Sequence, residues 1–228
     1  MADSTRNAEL VPWDDIDTVL VDMDGTLLDL AFDNYFWQEL VPSQYAARHN
    51  LPEQDARAEL MRAYRELEGS LAWYCIDHWT QALGLDLRLL SWQHRERICY
   101  LPRAREFLAM VRARGKQLML VTNAHREVLA VKVEHTGLDR EVDAMVSSHD
   151  FRAPKESAEF WERFRAGAHF DPRRTLLVED SLSVLASARE FGLGHVLAIR
   201  RPDSGQPARE ITGFPAIDGV HALAPVSS

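Results

Sequence analysis

The chain is poor in cysteine: Cys75 and Cys99 are its only two in 228 residues. They show no metal-type pairing such as CxxC, which excludes a disulfide framework and reads as free thiols in a reducing cytosol. No apolar run approaches the length of a membrane span, and the opening MADSTRNAEL has no signal core. Basic charge is in deficit, with 26 Lys and Arg against 35 Asp and Glu, a net charge of −9. That balance argues against a nucleic acid polymer or an anionic membrane as partner, while local charge still decides whether a small phosphorylated molecule binds. The nine histidines show no metal-ligand spacing, and there is no internal repeat or low-complexity segment. What remains is a chain 46% hydrophobic and 27% charged, the composition of a soluble, cytoplasmic globular protein. Its length fits one α/β domain with a sizeable insertion, or two small domains.

The most informative stretch is VLVDMDGTLLD at residues 19–29, an apolar strand running into two carboxylates one residue apart. Alternation along a strand points Asp22 and Asp24 the same way, and the turn at Gly25 lets both converge on one centre. Acids this close repel each other, so a bound cation or a shared proton is expected. One carboxylate could then attack while the other handles a proton. An acidic turn without chemistry is the alternative reading.

Four further apolar runs read as strands, at 117–121, 144–147, 175–178 and 195–199. Between them, helical spacing appears after Pro102, over 125–135, over 155–166 and over 181–191, with Gly115, Gly137, Gly167 and Gly192 as stops. Strand–helix alternation implies an α/β fold with a Rossmann-like parallel sheet covered on both faces. Ligands on such a sheet bind beyond the carboxyl ends of its strands. Residues 30–100 break the rhythm. They hold no convincing strand, but Leu60, Tyr64, Leu67 and Leu71 mark one helix face, with Gly69 as a kink and Gly84 as a stop. About 70 residues is too long for a plain connection. The expected organisation is a core of residues 1–29 and 101–228 with a helical cap domain of residues 30–100 inserted after the first strand. The tail after Arg200 is rich in turn formers, with a loose end.

Three other strand ends carry reactive groups. Thr122-Asn123 offers a hydroxyl and an amide suited to phosphoryl oxygens, although an N-cap role would equally account for it. Lys155 follows Pro154 and opens a helix, where it opposes the macrodipole and so suggests an anionic ligand. Glu179-Asp180 suits a hard divalent cation or a helix cap. Each is ambiguous alone. On one rim, together with Asp22 and Asp24, they form a coherent set.

In order and spacing these four motifs resemble those of the haloacid dehalogenase-like (HAD) hydrolase superfamily, over nearly the whole chain. The resemblance implies an Asp22 nucleophile that becomes an aspartyl-phosphate, with Asp24 as acid and then base. It implies Thr122, Asn123 and Lys155 around the phosphoryl group, and Mg²⁺ held by Asp22, the Asp24 carbonyl and Asp180, with Glu179 direct or through water. Asp24 disfavours carbon–halogen cleavage, because the superfamily's dehalogenases lack an acid there. The runs LLDLAFDNYFWQELVP, LAWYCIDHW and LVTNAHREVLAVKVEHTGLD look like the bacterial GMP/IMP nucleotidases of this superfamily. They imply a phosphatase of purine monophosphates, working as a monomer or small homo-oligomer. A sugar-phosphate phosphatase or a phosphomutase shares the same reacting residues and stays open.

Residues 30–100 contain Trp37, Trp73, Trp79 and Trp92, rings that could stack on a purine or simply form a helical core. Phe32, Asn34 and Tyr35, just past the hinge, are the candidates for substrate specificity. Asp29 is a candidate for fixing that hinge.

Overall fold

In the computed structural model, which describes residues 11–225, the chain builds a six-stranded sheet in the order β3-β2-β1-β4-β5-β6. The strands are β1 (Thr18–Val21), β2 (Gln117–Thr122), β3 (Ala144–Ser147), β4 (Thr175–Glu179), β5 (His195–Ile199) and β6 (Ala216–Ile217). All neighbouring pairs are parallel. The α/β fold with a Rossmann-like sheet is therefore as expected. β6 is additional: two residues are too few for any period to show, and they lie in the stretch read as a tail.

The side-chain period of two divides the strands between two cores. Val19, Val21, Leu118, Leu120, Leu176 and Val178 face one side. There they meet Phe107, Leu108 and Val111 of α6 (Ala104–Ala113) and Leu129 of α7 (Arg126–Thr136). Leu20, Met119, Val121 and Leu177 face the other side. They pack on Phe160, Trp161 and Phe164 of α8 (Ala158–Gly167) and on Val184, Leu185 and Ala188 of α9 (Leu182–Phe191). Register then sets the rim. Val21 pairs with Leu120 and with Val178, so Asp22 comes level with Val121 and Glu179 at the carboxyl edge.

Helix α8 starts at Ala158, not at Lys155. The Ser157 hydroxyl caps it by accepting from Phe160 N, and Lys155 lies in the turn before it. The macrodipole argument for Lys155 therefore falls. Its surroundings, described below, account for it instead.

Residues 31–97 are helical and carry no strand. They form α1 (Ala31–Tyr35), a π turn (Phe36–Leu40), α2 (Val41–His49), α3 (Glu53–Leu67), α4 (Ile76–Leu83), α5 (Leu87–Gln93) and a 3₁₀ turn at Arg95–Arg97. Pro42 lacks an N–H and would crowd the carbonyl four residues back, and the wider π turn just before it relieves that conflict. Helix α3 buries Ala56, Leu60 and Tyr64 and ends at Leu67. The backbone already turns extended at Glu68, so Gly69, at φ 77°, lies beyond the helix and does not kink it, which leaves Leu71 outside. Trp37, Tyr64 and Trp79 meet edge to face, with Trp73 on Tyr64, so these rings form the core of the segment.

The chain leaves the sheet and returns beside its exit. Asp29 N donates to Cys99 O at 2.8 Å and Leu101 N to Leu27 O at 2.8 Å. The Asp29 carboxylate accepts from Ala31 N and Ser204 N, pinning this hinge to the tail. Residues 1–10, including the segment read for a signal core, and the loose end at 226–228 lie outside the described residues.

Candidate active site

The carboxyl edge of β1, β2 and β4 gathers buried polar groups. Lys155, 1% exposed, donates from Nζ to Asp22 Oδ1 (2.5 Å), Glu179 Oε2 (2.7 Å) and Val121 O (2.9 Å). Its backbone is fixed as well: Lys155 N donates to Asn123 Oδ1 (2.9 Å), and Lys155 O accepts from Trp161 Nε1 (2.8 Å). Trp161 thus anchors the lysine from the core of α8. The other end of the Asn123 amide donates to Glu156 Oε2 (2.9 Å), and Glu156 Oε1 accepts from Tyr74 OH (2.5 Å). A chain of hydrogen bonds therefore joins the helical segment to the lysine. The Thr122 hydroxyl accepts from Ala124 N and holds the turn after β2.

Asp22, Glu179 and Asp180 bring carboxylate oxygens within 4.8 Å of one another. Burial, aided by the Glu179 charge, pushes the Asp22 carboxyl up to about 8 despite Lys155. Burial likewise raises Glu179 to about 7, and burial with the Asp22 charge raises Asp180 to about 7. For Lys155, burial works against the charged form, but Asp22 and Glu179 outweigh it and the ammonium is held well above its usual range. Fully ionised, the three carboxyl groups would carry one more negative charge than Lys155 and Arg209, the latter 3.9 Å from Asp180, can offset. An oxygen-only donor set with that surplus fits a hard divalent cation such as Mg²⁺. Glu179 has little left to offer directly: Oε2 takes Lys155, and Oε1 accepts from Asp180 N and Ser181 N.

Asp24 does not share the Lys155 ammonium with Asp22. The strand ends at Val21, so alternation no longer governs a residue three positions later in a turn. Asp24 Oδ1 instead accepts from Lys132 Nζ at 2.6 Å, and the same ammonium reaches both oxygens of Asp33 at 2.8 Å. Lys132 is 1% exposed and sits over the Phe32 ring. Burial opposes its charge, but Asp24 and Asp33 more than compensate. Burial and the Asp24 charge also raise Asp33 to about 6. The site thus holds two lysines, each serving different carboxylates. Gly25 makes the turn between them at φ 79°, where a Cβ would lie 2.8 Å from Pro202 Cβ and 2.9 Å from Asp180 Oδ2.

The three residues expected near the hinge are placed differently from one another. Phe32 is buried against Phe36. Asn34 is half-buried, giving Nδ2 to Asp203 Oδ2 (2.7 Å) and accepting from Gln38 at Oδ1. Tyr35 lies under the Arg97 guanidinium with its hydroxyl 3.3 Å from His94 Nδ1. Sequence reasoning passed over Lys132, Asp33, Glu156, Asp203 and Arg209, the last of which donates to the backbone carbonyls of Asp180 and Ile199. One signal was available. Leu129, Lys132 and Thr136 share the buried face of α7, and a lysine on that stripe needs an acidic partner.

A parallel α/β sheet carrying carboxylates and a buried lysine at its carboxyl edge defines the class of enzyme. The family model for haloacid dehalogenase-like hydrolases matches residues 16–192, and the chain belongs to that family. It is 40% identical over 215 residues to the GMP/IMP nucleotidase YrfG of Escherichia coli (strain K12), covering 94% of this chain and 97% of that one. The Shigella flexneri protein of the same name matches to the same extent. Among solved structures, a HAD phosphatase from Thermococcus onnurineus superposes with a TM-score of 0.74 at 22% identity, over 91% of this chain and 96% of that one. The L-2-haloacid dehalogenase of Xanthobacter autotrophicus gives 0.62 at 17% identity, over 92% and 97%. These two likenesses speak for the fold.

Proposed function

We propose that the chain is a Mg²⁺-dependent phosphatase that cleaves the 5′-phosphate of purine mononucleotides, GMP and IMP, through an aspartyl-phosphate. The observation that carries the reaction class is Lys155 bridging Asp22 and Glu179 in a buried pocket of surplus negative charge. Asp22 attacks phosphorus, and the ester oxygen leaves with a proton from Asp24. Asp24 then takes a proton from the water that hydrolyses the acyl phosphate. Lys155 offsets charge on the transferring group and orients Asp22. Thr122 presents its hydroxyl to that group, and Asn123 fixes the Lys155 backbone beside it. Asp22, the Asp24 carbonyl and Asp180 would hold the cation, with Glu179 acting through water. When bound, Mg²⁺ supplies charge neutralisation for the phosphoryl oxygens.

Residues 30–100 act in this reading as a cap over the core, residues 1–29 and 101–228, and Asn34 and Tyr35 near the hinge read the substrate. Phe32 supports them from the core. The substrate rests on the 40% identity to nucleotidases, and two free thiols among the described residues suit a cytoplasmic setting. No helix of the described residues is long and apolar enough to cross a membrane. The test is phosphate release from a panel of nucleotides and sugar phosphates, with and without Mg²⁺. GMP and IMP should lead the panel, and omission of metal should abolish turnover. Preferred hydrolysis of sugar phosphates, or isomer formation without phosphate release, would overturn the substrate assignment.

A further inference from the structure

A second cluster of ligating groups lies on neighbouring loops and takes no part in the reaction above. Cys75, His125 and His149 each bring a sulfur or ring nitrogen within 4.8 Å of the other two. They come from three parts of the chain. Cys75 is the N-cap residue of α4, His125 the N-cap of α7 after β2, and His149 lies in the 3₁₀ turn (Ser148–Phe151) after β3. The two imidazoles meet edge to face with centroids 4.7 Å apart. His149 Nε2 is buried without a hydrogen-bond partner, which leaves a polar atom desolvated and uncompensated. The contacts of His125 are long, 3.4 Å from Glu127 N to Nδ1 and 3.6 Å from Nε2 to Asp77 Oδ2, so neither commits the ring. Asp77, on the first turn of α4, stands beside the cluster as a carboxylate donor.

We propose that Cys75, His125 and His149, with Asp77 or water as fourth ligand, form a Zn²⁺ site that ties the helical segment to the core. One sulfur and two imidazole nitrogens are the donors of a borderline-soft cation. The oxygen-only cluster of Asp22, Glu179 and Asp180 suits a hard one, so the two sites sort metals by ligand chemistry. Binding converts the Cys75 thiol to a thiolate and releases one proton to solvent per ion; both histidines enter as neutral rings. A tetrahedral site needs the three donors drawn closer than they stand here, which side-chain rotation on three loops can supply. The consequence is regulatory. Tyr74, adjacent to Cys75, bonds Glu156 and through it Asn123 and Lys155. Zn²⁺ would therefore clamp the segment at the point where it touches the lysine's supports, restraining the motion that admits substrate and releases product.

The test uses the full chain, freed of metal and then given excess Mg²⁺ to fill the oxygen site. Zn²⁺ alone is titrated against a chromogenic chelator, and Co²⁺ is titrated in parallel and followed by absorption. One Zn²⁺ per chain is expected, and the Co²⁺ form should show thiolate-to-metal charge transfer with the intense visible bands of tetrahedral cobalt. Cys75→Ser and His149→Gln should each weaken Zn²⁺ binding by about a hundredfold or more. Asp180→Asn should leave it unchanged, since that variant alters only the oxygen site. Zn²⁺ should also slow the wild-type enzyme reversibly, while Cys75→Ser keeps its Mg²⁺-supported activity and escapes the inhibition. Circular dichroism confirms that the variants fold, and having one at each of two ligands keeps the test independent of either. Equal Zn²⁺ affinity in wild type, Cys75→Ser and His149→Gln would overturn the assignment, as would a Co²⁺ spectrum without sulfur charge transfer.

Discussion

Replacing Lys132 with methionine keeps most of the side chain's length and apolar stem but removes the ammonium that separates Asp24 from Asp33. Lys132 Nζ lies 2.6 Å from Asp24 and 2.8 Å from Asp33, and the lysine side chain is 1% exposed while each aspartate side chain is 21% exposed. Breaking a buried ion pair by removing one partner costs about 3–5 kcal/mol, because the remaining charge is stranded. Partial exposure of the two carboxylates places this case near the lower end, about 3 kcal/mol. At roughly 2–4 °C per kcal/mol for a chain of this size, the unfolding midpoint should fall by about 6–12 °C. Asp33→Asn in the Lys132→Met background should recover at least about 1 kcal/mol, since it removes the stranded repulsion and the two changes share a partner. The same variant should lose about tenfold to a hundredfold in kcat, because Asp24 loses the partner that sets its position. Urea unfolding of the wild type, both single variants and the double variant measures the coupling. A loss below about 1 kcal/mol for Lys132→Met, the range of an exposed pair, would refute the reasoning, as would strictly additive effects in the double variant.

Three further outcomes are expected. Asp22→Asn should reduce phosphate release to background and leave the unfolding midpoint no lower, because Lys155 keeps Glu179 as counter-ion and the amide oxygen can still accept from its ammonium; an active Asp22→Asn enzyme would refute the nucleophile assignment. Gly25→Ala should destabilise the chain by about 2–4 kcal/mol in urea unfolding, combining a left-handed backbone with overpacking against Pro202 and Asp180, and turnover should fall with it. Unchanged stability and activity in that variant would mean the turn can move away. Mg²⁺ at a hundred times its dissociation constant should raise stability by about 2.7 kcal/mol in the wild type and much less in Asp180→Asn, read by thermal unfolding with and without chelator. Equal stabilisation of both proteins would remove Asp180 from the cation's ligands.

The sheet was legible because parallel strands buried on both faces must read as continuous apolar runs, and four of the expected runs became β2 to β5 with ends shifted by at most a residue. Helix stops were legible where a glycine takes the left-handed conformation, as at Gly84, Gly137 and Gly192. The start of α8 was misread because Ser157, two residues beyond Lys155, supplies the cap. Among the candidate site residues, Asp22, Thr122, Asn123 and Glu179 stood out because each ends a strand or directly follows one, where register brings them to a common rim, and Lys155 because it stands beside Pro154 ahead of a helix. Lys132, Glu156 and Asp203 act from a helix face, a turn and the tail. Their partners lie 33 to 169 positions away along the chain, a separation that no local pattern encodes.

By itself the sequence determined the parallel α/β fold, the carboxyl-edge location of the candidate site and the residue types at those strand ends, because strand period and strand-end position are local properties. Only the tertiary structure decided which charge faces which. It gave Asp22 to Lys155 and Asp24 to Lys132, joined Asn123 to Tyr74 through Glu156, and brought together one cysteine and two histidines whose spacing in the sequence signals no metal site. Electrostatic pairing and metal ligation depend on distance in space, and that distance exists only once the helices have packed on the sheet.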